Sequence, residues 1–184
     1  MRKHLRSSNF YFEKLTLLKS STMLQSYLSS LNKEFNDYKR LAEKSFDQLS
    51  DEQLNYVPNP ESNSIATIVK HLHGNMLSRW TDFLTTDGEK EWRQRDAEFE
   101  DKKLNRDELL KLWNEGWQCV FEALQKVNEN NISSMITIRN QPLTIPGAFN
   151  RQLAHYSSHI GQILYIGKMI KGADWKNLSM PKKK

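Results

Sequence analysis

Cysteine is nearly absent from this chain of 184 residues. The lone thiol, Cys119, excludes an intramolecular disulfide and any multi-cysteine zinc site, and it suits a reducing compartment, so a cytoplasmic protein is expected. Long apolar runs are missing as well. No window approaches the roughly 18 consecutive apolar residues of a spanning helix. Residues 1–22 also lack the continuous apolar stretch, about 7–15 residues long, of a secretion signal. Neither a membrane association nor a signal peptide is expected. No internal repeat shows at any period, which excludes solenoids and propellers. A basic body is the last thing lacking. The net charge is +5, but residues 1–22 hold five Lys/Arg against one Glu, and residues 176–184 hold four Lys and no acid. Residues 23–175 are left with 18 basic and 21 acidic side chains. A duplex binder keeps positive charge on a folded face, because phosphate neutralisation dominates its affinity. No nucleic-acid partner is expected.

What the chain does have is apolar residues at helical spacing, 38% of the total, enough for the core of one domain. Leu24, Leu28, Leu31, Phe35, Tyr38, Leu41 and Phe46 recur every three to five residues and predict a first helix over 23–48. The basic stretch 1–22 is expected to be a flexible extension of a fold that starts near Met23, and 176–184 a basic tail. Pro58 and Pro60 make 51–63 a connection. Ser62, Asn63 or Ser64 can cap a second helix over 64–84, striped by Ile65, Ile68, Val69, Leu72, Met76, Trp80 and Phe83. Residues 86–105 form a long, charged connector, and long connectors often carry function. Asn105 or Asp107 opens a third helix that ends before Asn128. Ile136, Ile138, Leu143 and Ile145 alternate around Asn140-Gln141-Pro142, which predicts a short hairpin. Pro146 then leads a fourth helix over 147–171. The fold class is all-α, with four long helices.

Five histidines occur, and all but His4 fall on the second and fourth predicted helices. His155 and His159 are four residues apart, which leaves them about 40° apart in projection with Cβ atoms about 6 Å apart, so both imidazoles can reach one ion. A metal site of this kind commonly takes a third imidazole and leaves a position for water. His71 or His73 can supply it. They lie about 200° apart around their helix, so only one can face the ion, and periodicity leaves the choice open.

The segment Ser64-Ile65 through His71-Leu72-His73-Gly74-Asn75, followed downstream by His155-Tyr156-Ser157-Ser158-His159-Ile160-Gly161-Gln162-Ile163, resembles the DinB/YfiT-like superfamily over roughly residues 23–180. The motif Trp92-Arg93-Gln94-Arg95-Asp96-Ala97-Glu98-Phe99 and the final Trp175 to Pro181 are closest to an uncharacterised branch of it. The resemblance implies an up-down-down-up four-helix bundle, frequent homodimers, and a zinc or nickel ion held by His71, His155 and His159. It thus selects His71 over His73. It also implies a metal-dependent enzyme acting on a small molecule, a hydrolase or an S-transferase that uses a low-molecular-weight thiol such as bacillithiol or mycothiol. The alternative is a non-catalytic metal-binding or structural stress-related protein. Arg93 and Arg95 are candidates to hold a carboxylate of the thiol cofactor by bidentate pairing. Asp82 is more simply a surface carboxylate than a partner of a ligand histidine. Trp80, Trp113 and Trp117 read as packing residues, and Cys119 as a buried, inert thiol.

Overall fold

Nothing in residues 3–46 interrupts a helix, for the stretch contains neither proline nor glycine, and α1 runs unbroken from Lys3 to Phe46. The computed structural model describes residues 3–100 and 102–179, with side chains from residue 22 onward. The expected start near Met23 thus meets a helix that begins a full twenty positions earlier, at Lys3. The tail residues Lys182 to Lys184 lie outside the described residues.

Caps set the remaining boundaries. Ser50 accepts from the Gln53 amide while Gln53 returns a bond to the Ser50 amide, and this capping box starts a single turn, α2 (Asp51–Leu54), inside the expected connection. Ser64 accepts from Thr67 N to start α3 (Ile65–Trp80). Asn105 and Glu108 form a second capping box at the head of α4 (Arg106–Gln125), and Thr144 caps α5 (Ile145–Lys171) through Gly147 N. Between α4 and α5 lies the expected hairpin, β1 (Met135–Ile138) antiparallel to β2 (Gln141–Thr144), with Ile138 opposite Gln141. Its two loop residues, Arg139 and Asn140, both have positive φ, at 55° and 59°. That is the backbone a two-residue hairpin loop demands.

The second helix stops earlier than its apolar stripe suggests. Thr81 leaves helical geometry and Asp82 turns with φ 49°, yet Phe83 stays buried with its ring 5.5 Å from Trp80. A turn that re-uses the same apolar surface mimics one more helical turn in sequence.

The long helices form a ring of contacts in which α3 packs on α4 and α5, and α1 packs on α5 and α4. Aromatic side chains fill the middle. Phe35 of α1 meets Trp117 of α4 and Phe149 and Tyr156 of α5, and Trp80 stacks on Phe149 at 4.1 Å while donating to the Tyr156 hydroxyl at 3.0 Å. Trp80, Trp113 and Trp117 are core residues, each at most 2% exposed. A fully buried side chain of this kind contributes about 1.5–3 kcal/mol. Gly116 lets α3 and α4 approach closely, since a Cβ there would lie 2.9 Å from Met76 Sδ and 3.4 Å from the His73 Cα. Among the described residues no helix is long and apolar enough to cross a membrane.

Candidate metal centre

His71 lies near the middle of α3, and His155 and His159 lie one turn apart on α5. Where the two helices face each other, these three side chains come together, with one ring nitrogen from each within 4.8 Å of the others. The Nε2 atom of His155 is 3.4 Å from Nε2 of His71 and 3.1 Å from Nε2 of His159. Imidazole nitrogens held about 2.0–2.1 Å from a zinc-sized ion in tetrahedral array would stand roughly 3.3–3.4 Å apart. The donor set fits a small divalent cation. His73 points elsewhere: its Nε2 is 3.3 Å from the Glu115 carboxylate of α4, and burial pulls its pKa below the usual range while Glu115 opposes.

The rings are oriented from behind. His71 Nδ1 lies 3.0 Å from Glu98 Oε2, and because a carboxylate only accepts, the proton sits on Nδ1 and the Nε2 lone pair faces the other imidazoles. Glu98 is in turn gripped by Arg93, whose Nε and Nη2 donate to its two oxygens at 2.7 and 2.9 Å. Burial works against the Glu98 charge, but the bonds to His71 and Arg93 win and hold the carboxyl below its ordinary range. Gly74 makes this approach possible: a Cβ there would stand 2.1 Å from Glu98 Oε1. His159 Nδ1 pairs with Gln162 Oε1 at 3.1 Å, and Phe99 covers His71 with ring centroids 5.2 Å apart. Burial first, then the neighbouring His159 and His71, push His155 down to about 3. Burial also lowers His159, so both rings are neutral near pH 7 and can donate lone pairs.

The histidines floor a cleft of about 360 Å³. Its walls include Arg93 and Arg95, but the two differ. Arg93 is committed to Glu98 with its side chain only 2% exposed, whereas Arg95 is half exposed, 3.7 Å from Asp96 and over the Phe99 ring at 5.3 Å. Asp82 is exposed in its turn, as expected of a surface carboxylate. The carboxylate that does orient a histidine, Glu98, comes from the connector, in a 3-10 turn over Asp96–Phe99 that no apolar period announces. Gln162 had a faint signal, standing three residues after His159 on the same helical face. Cys119 is half buried, and burial raises its thiol pKa with Thr81 opposing, which leaves it a poor nucleophile.

Comparison with other proteins supports this architecture. A family model described as "Protein of unknown function (DUF1572)" matches residues 22–184. A conserved protein from Enterococcus faecalis superposes with a TM-score of 0.56 at 17% identity, covering 80% of this chain and 96% of that one. A DinB-like protein from Bacillus cereus superposes with a TM-score of 0.53 at 17% identity, covering 79% of this chain and 91% of that one. Likeness at this identity concerns the fold alone. No curated protein matches in sequence.

Proposed function

Because the chain belongs to the DUF1572 family, a DinB-like family, we propose that it binds one divalent ion, zinc or nickel, through Nε2 of His71, His155 and His159 and serves as a metal-dependent enzyme. The observation that carries this reading is the convergence of three imidazole nitrogens within 4.8 Å of one another, His155 standing 3.4 and 3.1 Å from the other two, with Glu98 fixing the tautomer of His71. A bound ion of this kind lowers the pKa of a coordinated water or thiol. The reaction class is thiol S-transfer or hydrolysis on a small molecule, in a cleft whose volume lies within the range of small-ligand sites. Among the chain's own groups, Glu98 and Arg93 hold His71 in place, Phe99 shields it from water, and Arg95 is the better placed of Arg93 and Arg95 to meet a carboxylate of a low-molecular-weight thiol.

The same reading takes the four long helices as up-down-down-up. In support, Tyr27 of α1 bonds Pro146 at the start of α5 and Gln48, just after α1, bonds Lys176, just beyond α5, in the same order, while Trp80, at the end of α3, meets Tyr156 in the first half of α5. His73 of α3 and Thr81, which caps it, meet Glu115 and Cys119 of α4 in the same order too, which supports a long connector that returns along the bundle between two parallel helices. Homodimerisation and a cytoplasmic location complete the proposal.

Elemental analysis of tag-free protein tests it. The parent and His73→Ala are expected to carry close to one zinc or nickel per chain, and His71→Ala and His155→Ala to lose it after the same purification. A parent that stays empty after metal loading ends the metal-dependent reading.

A further inference from the structure

Arginine is concentrated around this cleft to a degree the chain's overall charge does not foretell. Arg79, Arg93, Arg95, Arg139 and Arg151 all line it, and among the described residues no carboxylate does. Three acids stand behind the wall, one of them Asp96, 3.7 Å from Arg95 Nη1. Glu98 is used by Arg93, and Glu89 is shared, with its Oε2 3.1 Å from Arg79 Nη2 and 2.7 Å from Arg139 Nε, and its Oε1 4.0 Å from Arg93. Three carboxylates are fewer than the five guanidinium groups, of which Arg95, Arg139 and Arg151 are exposed, and like charges on one wall repel.

The wall is also built with care. Arg139 sits at positive φ in the hairpin loop, an uncommon backbone for a residue other than glycine, asparagine or aspartate, and the Asp87 carboxylate holds it there by accepting from the Arg139 and Asn140 amides at 2.9 Å each. Its terminal nitrogens have no partner among the described residues, and Arg151, one turn before His155 on α5, has none at all among them. Polar atoms buried in the same cleft are unpaired too. Arg79 Nε, Asn75 Oδ1 and Gln152 Oε1 lack a hydrogen-bond partner, in side chains from residues no more than 6% exposed. A buried N–H without a partner is costly, and the amides of Asn75 and Gln152 can turn to present their NH₂ groups.

We infer that the cleft is an oxyanion receptor in which Arg139 and Arg151 are the free arms, so that the molecule taken beside the three histidines is a small carboxylate or phosphate anion. Planar guanidinium forks match both groups in bidentate fashion. This deepens the reading of the cleft as the reactive site and names the class of its substrate, but the arginines do not depend on a bound ion.

Calorimetric titration of the full chain with inorganic phosphate and, separately, with succinate tests the inference, using chelator-treated and zinc-loaded protein side by side. At least one anion is expected to bind the chelator-treated chain, with an affinity that falls as salt rises. Arg139→Gln and Arg151→Gln are each expected to weaken it about tenfold or more, the cost of a lost charge-assisted bond. Arg40→Gln, on the exposed face of α1 beside Asp37, is expected to bind like the parent. The stronger of the two anions identifies the group recognised. Failure of both to bind, or equal binding by the parent and both cleft variants with intact helical circular dichroism, overturns the inference. Zinc content measured on the same samples separates the two readings: anion binding in a chain that takes no zinc leaves the receptor standing and removes the metal centre, whereas zinc without anion binding does the reverse.

Discussion

At the scale of single residues, Gly74 and Glu98 form a pair whose purpose is the orientation of His71. Replacing Gly74 by alanine places a methyl group where Glu98 Oε1 now lies, 2.1 Å from the new Cβ, so the carboxylate has to swing off both His71 and Arg93. Alanine also improves a helix interior by roughly 0.5–1 kcal/mol, which offsets part of the lost bonding. Gly74→Ala is therefore expected to change overall stability little while weakening zinc binding by about 10–100-fold, the usual effect of losing the group behind a ligand histidine. Competition titration with a zinc chromophore checks this, and unchanged affinity would remove Glu98 from any part in the site. A reader of the sequence sees the glycine between His73 and Asn75 and reads it as part of a motif. The reason for it lies in a carboxylate 24 positions downstream, on a connector without periodicity, so no local pattern exposes it.

At the scale of elements, the hairpin and the connector are held as one unit by Asp87. Its carboxylate accepts from the amides of Glu89 at 2.6 Å and of Arg139 and Asn140 at 2.9 Å. Desolvation pushes its pKa up, but the Glu89 and Asn140 amides, the Thr137 hydroxyl and the Arg139 amide together pull it well below the usual carboxylate range. Asp87→Asn replaces one accepting oxygen with a donor that faces a backbone N–H, at an expected cost of about 0.5–1 kcal/mol in urea denaturation at pH 7, solvent screening at this partly exposed site reducing the loss. The folded pKa is the depressed one, so the carboxylate stabilises the fold above its unfolded value of about 3.9 and loses that contribution as pH falls further. The gap between parent and variant is expected to be full at pH 7 and to narrow below about pH 4. A gap that stays constant down to pH 3 would mean the bonds to Asp87 contribute nothing as an anion. The hairpin itself was legible from alternating apolar residues around Asn140, whereas its attachment to Asp87 was not, because pairing between remote loops leaves no period in either one.

At the scale of the whole molecule, the core and the candidate metal centre are separable. Phe35, Trp80, Trp113, Trp117 and Tyr156 pack among the four long helices without calling on His71, His155 or His159 for closure. Chelation of a zinc-loaded chain is therefore expected to leave the helical circular dichroism intact and to lower Tm by roughly 5–10 °C, since an ion at a hundred times its Kd adds about 2.7 kcal/mol. Loss of helix on chelation would instead mark the ion as structural and favour a non-catalytic metal-binding protein. By itself the sequence determined that there are four long helices, the caps at Ser64 and Asn105, the hairpin and the His155/His159 pair, because each of these is a local matter of period, cap or turn, and resemblance added His71. Only the tertiary structure decided that Glu98 stands behind His71 and that Arg79, Arg93, Arg95, Arg139 and Arg151 wall one cleft. Those arginines come from α3, the connector, the hairpin loop and α5, in a body with more acids than bases, and a period tells which face of an element is buried but not which other element it will meet.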